Sequence, residues 1–281
     1  MKPSGTSVQS VSVLIRPNSS WMPINLRDLW EYRELLYFLT WRDIKVRYKQ
    51  TALGVIWVVL QPLFLMLIFT VFLGRLVGIP SDGIPYSLFT YTALLPWQLF
   101  SRALNEASVS LVVNERIITK TYFPRIFVPI SAVLSSLVDF MIGLVVLIAF
   151  ILVYGIQPGF AVLAVPVFAL LAVIAALGVS FWLAAFNVVY RDVRYLLPFL
   201  TQVWMFATPI IYPMSVVPED WRFLYGMNPM VGVVEGFRSS LFGKVSSSHP
   251  TLALSALIAA GVFIGGLFYF RKAEQTLADV I

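Results

Sequence analysis

Six stretches of this chain are long enough, and nearly free enough of charge, to cross a membrane as helices. A helix needs about 20 mostly apolar residues to span a hydrocarbon core of about 30 Å. The six windows cover residues 53–77, 84–110, 126–154, 161–186, 195–212 and 251–270. Backbone polar groups in lipid must be satisfied within their own segment, so the predicted fold is all-α.

Composition supports an integral membrane protein. Hydrophobic residues make up 59% of the 281 residues and charged residues 12%, whereas soluble domains carry roughly 25% charged residues. We therefore predict one transmembrane domain over residues 30–281, preceded by a cytoplasmic tail at residues 1–29. The net charge of +6 is explained by membrane topology and does not require nucleic acid as a partner.

Lysine and arginine are distributed unevenly between the segments that join the six windows. With both termini inside, 16 of the 20 Lys and Arg residues fall on the inner side. Positive charge accumulates on the cytoplasmic side of membrane proteins. The sequence thus predicts a multi-pass protein of the cytoplasmic membrane with both termini in the cytoplasm.

Residues 30–50 have helical periodicity but too many charges to span a membrane. Tyr37 and Trp41 share one predicted stripe with Ile44 and Tyr48. An adjoining stripe is basic, with Arg42, Lys45 and Lys49, and Arg47 lies close by. This pattern is typical of an amphipathic helix at the membrane interface, with aromatic rings at headgroup depth. Its cations would then face phosphates or a cytosolic partner, or the helix would serve only as a topological anchor.

Two short inner segments carry charges that suggest a role. Residues 113–123 mix charged residues with isoleucines and aromatics, which predicts a short helix at the inner surface, either contacting a soluble motor or acting as a solvated connector. In residues 187–195, Arg191 and Arg194 are predicted to share a helical face and to hold a phosphate. The alternative is an ion pair of these arginines with Asp192.

Asp139 lies inside the third window, where a carboxylate is costly and is by default a functional candidate. The sequence places Ser135 and Ser136 within hydrogen-bonding reach and shows no intramembrane base. A lone acid argues against a proton relay, so we expect Asp139 to serve packing or helix registry.

Residues 213–250 are rich in aromatics and glycine, which predicts short helices that re-enter the membrane from outside or, alternatively, a capping loop. The chain has no cysteine and one histidine, so no metal site is expected. It also has no Walker A motif. We therefore predict that the chain is not an enzyme and binds no cofactor itself.

An ordered series of motifs resembles the type-2 ABC exporter permeases for O-antigen, capsule and teichoic acid. The resemblance covers nearly the whole chain from about residue 21. The motifs lie at residues 35–57, 61–62, 95–97, 120–125, 190–194, 208–210, 228–230 and 278–281.

This resemblance implies a homodimer that pairs with two copies of a separate ABC ATPase, which uses ATP and Mg. Together they would move undecaprenyl-pyrophosphate-linked polysaccharide across the bacterial inner membrane, a step of lipopolysaccharide biosynthesis. The implied architecture has six transmembrane helices, an N-terminal interface helix and extracytoplasmic re-entrant helices.

The resemblance also implies roles for particular segments. Residues 30–50 become the interface helix, and residues 214–245 the re-entrant helices. Leu53 and Gly54 resemble a short loop near substrate entry. The resemblance does not assign the phosphate contacts; our own candidates for contacts to pyrophosphate or the ATPase are Arg42, Lys45, Arg47, Arg191 and Arg194. Coupling to the ATPase is assigned to residues 113–123, with Asn114, Glu115, Arg116, Lys120 and Tyr122 as its candidate residues.

Other functions remain open at this point. The same machinery could carry teichoic acid or a drug-like lipid. A proton-coupled secondary transporter would need paired intramembrane ionisable groups, and a membrane-embedded glycosyltransferase would need clustered cytosolic acids.

Overall fold

The computed structural model describes residues 30–49, 54–121, 123–243 and 249–280. Ten α-helices and no strand occur in this part of the chain, which confirms the all-α prediction. In chain order they are α1 Arg33–Lys49, α2 Gly54–Phe69, α3 Tyr86–Val113, α4 Glu115–Lys120, α5 Phe127–Val153, α6 Val165–Val189, α7 Val193–Phe206, α8 Glu219–Gly226, α9 Pro229–Phe242 and α10 His249–Val280. Helix α2 continues as a π-helix over Thr70–Val77, and 3-10 turns lie at Phe160–Ala164 and Met214–Val216.

Four of the described helical stretches are long and apolar enough to cross a membrane. They are Gly54–Val77, Phe127–Val153, Phe160–Val189 and Pro250–Glu274, and they correspond to the first, third, fourth and sixth predicted windows. The protein is therefore a multi-pass membrane protein.

The second and fifth windows differ from the prediction. Helix α3 has 28 residues, about 42 Å of helix, but it carries polar side chains that lower its hydropathy. Helix α7 was expected to continue to Tyr212, yet it ends at Phe206 after 14 residues, about 21 Å. Pro209 follows within three residues, and a proline removes the amide donor that a continuing helix would need.

Helix α3 forms the centre of the bundle. It packs along α5 and α6, and more narrowly against α9 and α2. Its buried aromatic and aliphatic side chains, among them Tyr91, Phe100 and Leu104, form the core. Helix α10 packs most extensively against α6.

Helices occur where re-entrant elements were predicted, at α8 and α9. Helix α9 begins at an Asn–Pro pair, where the Asn228 side chain accepts from the Met230 amide over 3.0 Å. It ends at Gly243, whose φ of 65° is left-handed. Asparagine at the N-cap, proline at the first position and glycine at the C-terminal end are favourable helix boundaries.

Candidate functional site

Helix α1 lies along the first half of α5 and is held there by both apolar and polar contacts. Near its start, the rings of Tyr32 and Phe127 are 6.0 Å apart. Leu39 is buried, and further along the Ser131 hydroxyl donates to Asp43 over 3.2 Å. The helix predicted at the membrane interface is thus packed against the bundle along one face.

At its C-terminal end, α1 contributes to a group of charged side chains that we call the ionic cluster: Arg47, Tyr48, Arg102, Glu106 and Asp139. Arg47 donates to Asp139 over 2.6 Å and also pairs with Glu106. Arg102 of α3 pairs with the same Asp139 oxygen as Arg47. The Tyr48 hydroxyl donates to the other oxygen.

The sequence prediction that Asp139 is a lone acid is wrong. Asp139 has two arginine partners, Arg47 and Arg102, and its side chain is only 8% exposed. The expected serine contacts are different as well: the Ser135 hydroxyl accepts from Arg47 over 3.1 Å, and the Ser136 hydroxyl points to Glu106. Sequence reasoning counted Arg47 and Arg102 only as positive charges and did not consider Glu106.

The ionic cluster balances two arginines with two carboxylates. Removing a charge from water is costly unless an opposite charge and hydrogen bonds compensate for it. Burial and the hydrogen bond to Asp139 raise the pKa of Tyr48, so its hydroxyl stays protonated and serves as a donor. The cluster therefore joins α1, α3 and α5 through several charge-assisted hydrogen bonds.

The opposite face of α1 is exposed and aromatic. The rings of Tyr37 and Trp41 are nearly parallel, with an interplanar angle of 7° and centroids 6.5 Å apart. The Lys45 ammonium lies 5.3 Å from the Trp41 ring centroid, and Lys49 is exposed. The predicted aromatic stripe is thus only partly correct, because Tyr48 points into the bundle. Arg42 pairs with the neighbouring Asp43 over 2.7 Å.

The short helix predicted within residues 113–123 is present as α4. Asn114 precedes it and donates through its side chain to the Ser110 carbonyl over 2.8 Å. Ile118 is buried and holds the helix against the bundle. The charged side chains of α4 are exposed: Glu115, Arg116 and Lys120. Leu53 and Tyr122 lie outside the described residues.

The loop after α4 is tied to the last helix by a contact that sequence reasoning missed. The Arg125 amide donates to the Glu274 carboxylate over 2.8 Å, and its guanidinium donates to the Glu274 carbonyl over 3.2 Å. Arg271 pairs with the same carboxylate over 3.1 Å. Helix α10 thereby fixes the segment that joins α4 to α5.

The sequence predicted that Arg191 and Arg194 share a helical face, but in the structure they do not. Arg191 lies in the turn before α7, which begins at Val193. Arg194 stands 4.8 Å from the Tyr195 ring centroid. Both arginines are exposed, and within the described residues no ion pair joins either to Asp192.

At the other end of the bundle, α7, α8 and the start of α9 line an open aromatic pocket of about 830 Å³, which we call the outer cavity because the predicted topology places it outside. The Trp204 indole donates to the Asn228 side chain over 3.0 Å, and the Tyr212 and Tyr225 hydroxyls are 3.1 Å apart. The polar atoms of its wall are therefore paired with one another. The outer cavity is lined by Trp204, Ala207, Tyr212, Val216, Val217, Pro218, Trp221, Leu224, Tyr225, Met227, Asn228 and Pro229.

Comparisons with known proteins fit a membrane transporter. Residues 34–242 match the family model described as ABC-2 type transporter. The chain is 31% identical over 251 residues to the O-antigen export system permease protein RfbA of Klebsiella pneumoniae, covering 88% of this chain and 95% of that protein. It is 29% identical over 253 residues to the protein of the same name from Myxococcus xanthus, covering 89% and 96%.

A more distant relative is the polysialic acid transport protein KpsM of Escherichia coli, which is 23% identical over 243 residues and covers 84% of this chain and 92% of that protein. The family match over residues 34–242 includes the ionic cluster, α4, α9 and nearly all of α1, so it concerns most of the bundle rather than one motif. The chain belongs to the ABC-2 type transporter family, as a membrane permease and not as an enzyme.

Proposed function

We propose that this chain is the permease of an export system for lipid-linked polysaccharide in the bacterial inner membrane. The observation that carries the proposal is the similarity to O-antigen export permeases over 88% of the chain and 95% of the relative. Similarity of this extent includes both ends of the bundle, where a substrate enters and leaves. The weaker similarity to a polysialic acid transport protein supports a polysaccharide as the substrate class.

The proposed substrate is undecaprenyl-pyrophosphate-linked polysaccharide of the O-antigen type. Arg191, in the turn before α7, and Arg194, in the first turn of α7, are exposed and offer guanidinium groups that suit pyrophosphate oxygens. The aromatic wall of the outer cavity offers apolar ring faces on which sugar rings can stack without tight binding. Arg47 is no longer a candidate for the phosphate, because its guanidinium is occupied within the ionic cluster.

In the proposed topology, α7 and the turn after it complete a fifth span, and α3 is the second, so that six segments cross the membrane. Both termini are then cytoplasmic, and α8 and α9 re-enter from outside. Support comes from the excess of Lys and Arg on the proposed inner side. Helix α9 is buried on nearly all its length, as irregular or short elements at membrane depth must be.

We propose that the transport complex is a homodimer bound to two copies of a separate ATPase. Helix α4 presents three exposed, charged side chains. It is held in place by Ile118, which packs in the same apolar cluster as Leu39 of α1, and by the Arg125–Glu274 contact. Such a fixed, charged element is suited to receive motion from a soluble motor. The ATPase would then push on α1 and α4, and the ionic cluster would pass movement of α1 to α3 and α5.

The test is purification of the chain from its native membrane, with identification of co-purifying proteins. An ABC ATPase should be recovered, and its turnover should respond to lipid-linked glycan. Deletion of the chain should abolish surface polysaccharide, and the wild-type chain should restore it. Recovery without an ATPase, together with unaltered surface polysaccharide in the deletion strain, would contradict the proposal.

The fate of an anionic wall polymer in the same deletion strain separates the two candidate substrates. Loss of teichoic acid, with O-antigen-type glycan retained, would assign the permease to that alternative.

A further inference from the structure

After α7 ends, the chain follows a non-helical path from Ala207 to Pro213 that we call the α7 bend. A helix end leaves backbone carbonyls without their usual amide partners. Such carbonyls are tolerated at membrane depth only when protein groups satisfy them. The carbonyls of the bend therefore need hydrogen-bond donors from elsewhere in the protein.

Every carbonyl from Phe206 to Ile211 accepts a hydrogen bond, and side chains supply most of the donors. The Phe206 carbonyl accepts from the Tyr212 hydroxyl over 3.0 Å, and the Ala207 carbonyl from the Asn228 amide over 3.3 Å. The Thr208 carbonyl accepts from the Ile210 amide over 2.7 Å. The Ile211 carbonyl accepts from the Tyr86 hydroxyl over 2.7 Å.

Arg238 satisfies the two remaining carbonyls, which are adjacent in the chain. Its Nη1 donates to the Pro209 carbonyl over 2.6 Å, and its Nη2 donates to the Ile210 carbonyl over 2.7 Å. Its guanidinium carbon stands 3.5 Å from the centroid of the Phe89 ring on α3. Glu235, one turn earlier on α9, balances the charge over 2.9 Å.

An arginine is particularly suited to this position. A guanidinium presents several donors in a planar fork, whereas a lysine ammonium acts as a compact point charge. Arg238 is 4% exposed, so it has no part in contacts with water or headgroups. Burial of such a group is costly unless its donors are used, and here they connect α9, α3 and the bend.

The bend also forms part of the outer cavity, because Ala207 and Tyr212 line it. We propose that Arg238 is a positioning residue that fixes the α7 bend and thereby holds open the aromatic wall of the outer cavity. Its role in export rests on the proposed function. The geometric part of the proposal, that loss of the fork alters the cavity, does not depend on it.

The test uses the absence of native cysteine. A reporter, Val216→Cys, is introduced into the cavity lining, and a second reporter, Phe160→Cys, into the exposed 3-10 turn before α6. Each is combined with Arg238→Lys, which keeps the charge next to Glu235 and removes the fork. The rate of maleimide labelling is measured on the purified full-length chain together with whatever subunits co-purify.

We expect Arg238→Lys to change the labelling rate at residue 216 by about fivefold or more, because local opening of the bend changes access to the cavity. The rate at residue 160 should stay within about twofold. Surface glycan should fall by about fivefold or more while ATPase co-purification is unchanged. A residue needed only for general stability would lower membrane abundance and alter labelling at both reporters.

Unchanged labelling at residue 216 and unchanged export in Arg238→Lys would overturn the proposal. If that variant does not reach the membrane, Tyr86→Phe carries the test, because it removes one donor to the bend and leaves every charge in place. It should alter labelling at residue 216 in the same direction by a smaller factor, and an unaltered rate would equally overturn the proposal. Failure of wild-type export or of ATPase recovery would count against the proposed function instead.

Discussion

Arg47 of α1 donates to Asp139 of α5 over 2.6 Å, across 92 positions of sequence. The contact joins α1, which is charged, to the middle of α5, which is long and apolar enough to cross a membrane. Arg102 of α3 pairs with Asp139, and Glu106 of α3 pairs with Arg47, so the ionic cluster connects the three helices. In the proposed mechanism, a displacement of α1 would act through this cluster on the centre of the bundle.

Asp139→Ala should destabilise the protein strongly. The change removes the carboxylate with which Arg102 pairs and leaves Arg47 with Glu106, while both guanidinium groups stay partly buried. Breaking a buried ion pair by removing one partner typically costs about 3–5 kcal/mol. We expect a lower midpoint of thermal unfolding for the purified chain and lower abundance in membranes.

The control is the pair of variants Arg47→Ala and Arg47→Ala with Asp139→Ala. If the two groups interact as the structure shows, the double change should cost less than the sum of the single changes, by about 0.5–3 kcal/mol. Strict additivity of the two losses would contradict a direct interaction between Arg47 and Asp139.

The helical class and four of the spans were predictable because long apolar runs determine them locally. The contacts of Asp139 could not be predicted from the residues next to it in the sequence. Its partner Arg47 lies in a helix that was expected to rest on the membrane surface. The spacing of apolar residues in that helix does not indicate that it packs along α5. Arg102 and Glu106 gave a usable signal, because two opposite charges four residues apart inside a span need burial partners.

The end of the fifth predicted helix was wrong for a different reason. Hydropathy continues past Phe206, but the backbone does not continue as a helix, because Pro209 interrupts the amide ladder. Most carbonyls of the bend accept from side chains that are distant in sequence. Asn228 and Arg238 lie about 20 or more residues after the carbonyls they bind, and Tyr86 lies more than 100 residues before its carbonyl. Only the three-dimensional arrangement brings these donors together.

Gly178→Ala should weaken the packing of α6 against α10. A methyl group at residue 178 would lie 2.7 Å from the backbone nitrogen of Phe263 and 2.8 Å from its Cα. Backbone atoms of a packed helix have little room to move, and overpacking typically costs about 1–3 kcal/mol. Thermal unfolding of the purified chain measures this loss.

Gly261→Ala is the matched control on α10, because no atom in the described part of the chain lies within 4 Å of the added methyl group. It should be neutral or stabilise the helix by up to about 1 kcal/mol, since alanine has the better helix propensity. Equal losses from both substitutions would show that the close contact at Gly178 is not the cause.

Charge reversal on α4 should uncouple the chain from the proposed ATPase without unfolding it. The side chains of Arg116 and Lys120 are exposed, and exposed substitutions usually change stability by less than about 0.5 kcal/mol. In Arg116→Glu with Lys120→Glu, like charges would oppose any acidic partner surface. We expect ATPase recovery in affinity purification to fall by about tenfold or more.

Thr119→Ala on the same helix is the control for this change. Among the described residues, the Thr119 hydroxyl bonds only within its own helix, to the Glu115 and Arg116 carbonyls. It should leave ATPase recovery as in the wild type. Full recovery with the reversed charges would remove α4 from the contact surface.

Arg191→Ala and Arg194→Ala should reduce export while leaving the fold intact. Both side chains are exposed, so their removal leaves no buried group unpaired. A hydrogen bond to a charged group contributes about 1.5–3 kcal/mol, which corresponds to a loss of roughly tenfold or more in binding of the pyrophosphate headgroup. Surface glycan, measured at equal membrane abundance of the chain, should fall accordingly, and the double variant should export least.

Arg75→Ala provides the comparison, because Arg75 is exposed near the C-terminal end of the π-helix. It lies on the proposed outer side, where it would not meet a headgroup that enters from the cytoplasm. Similar losses of surface glycan in all three single variants would point to a general effect of positive charge. A loss confined to the Arg191 and Arg194 variants would assign the entering phosphate to the turn before α7 and the first turn of α7.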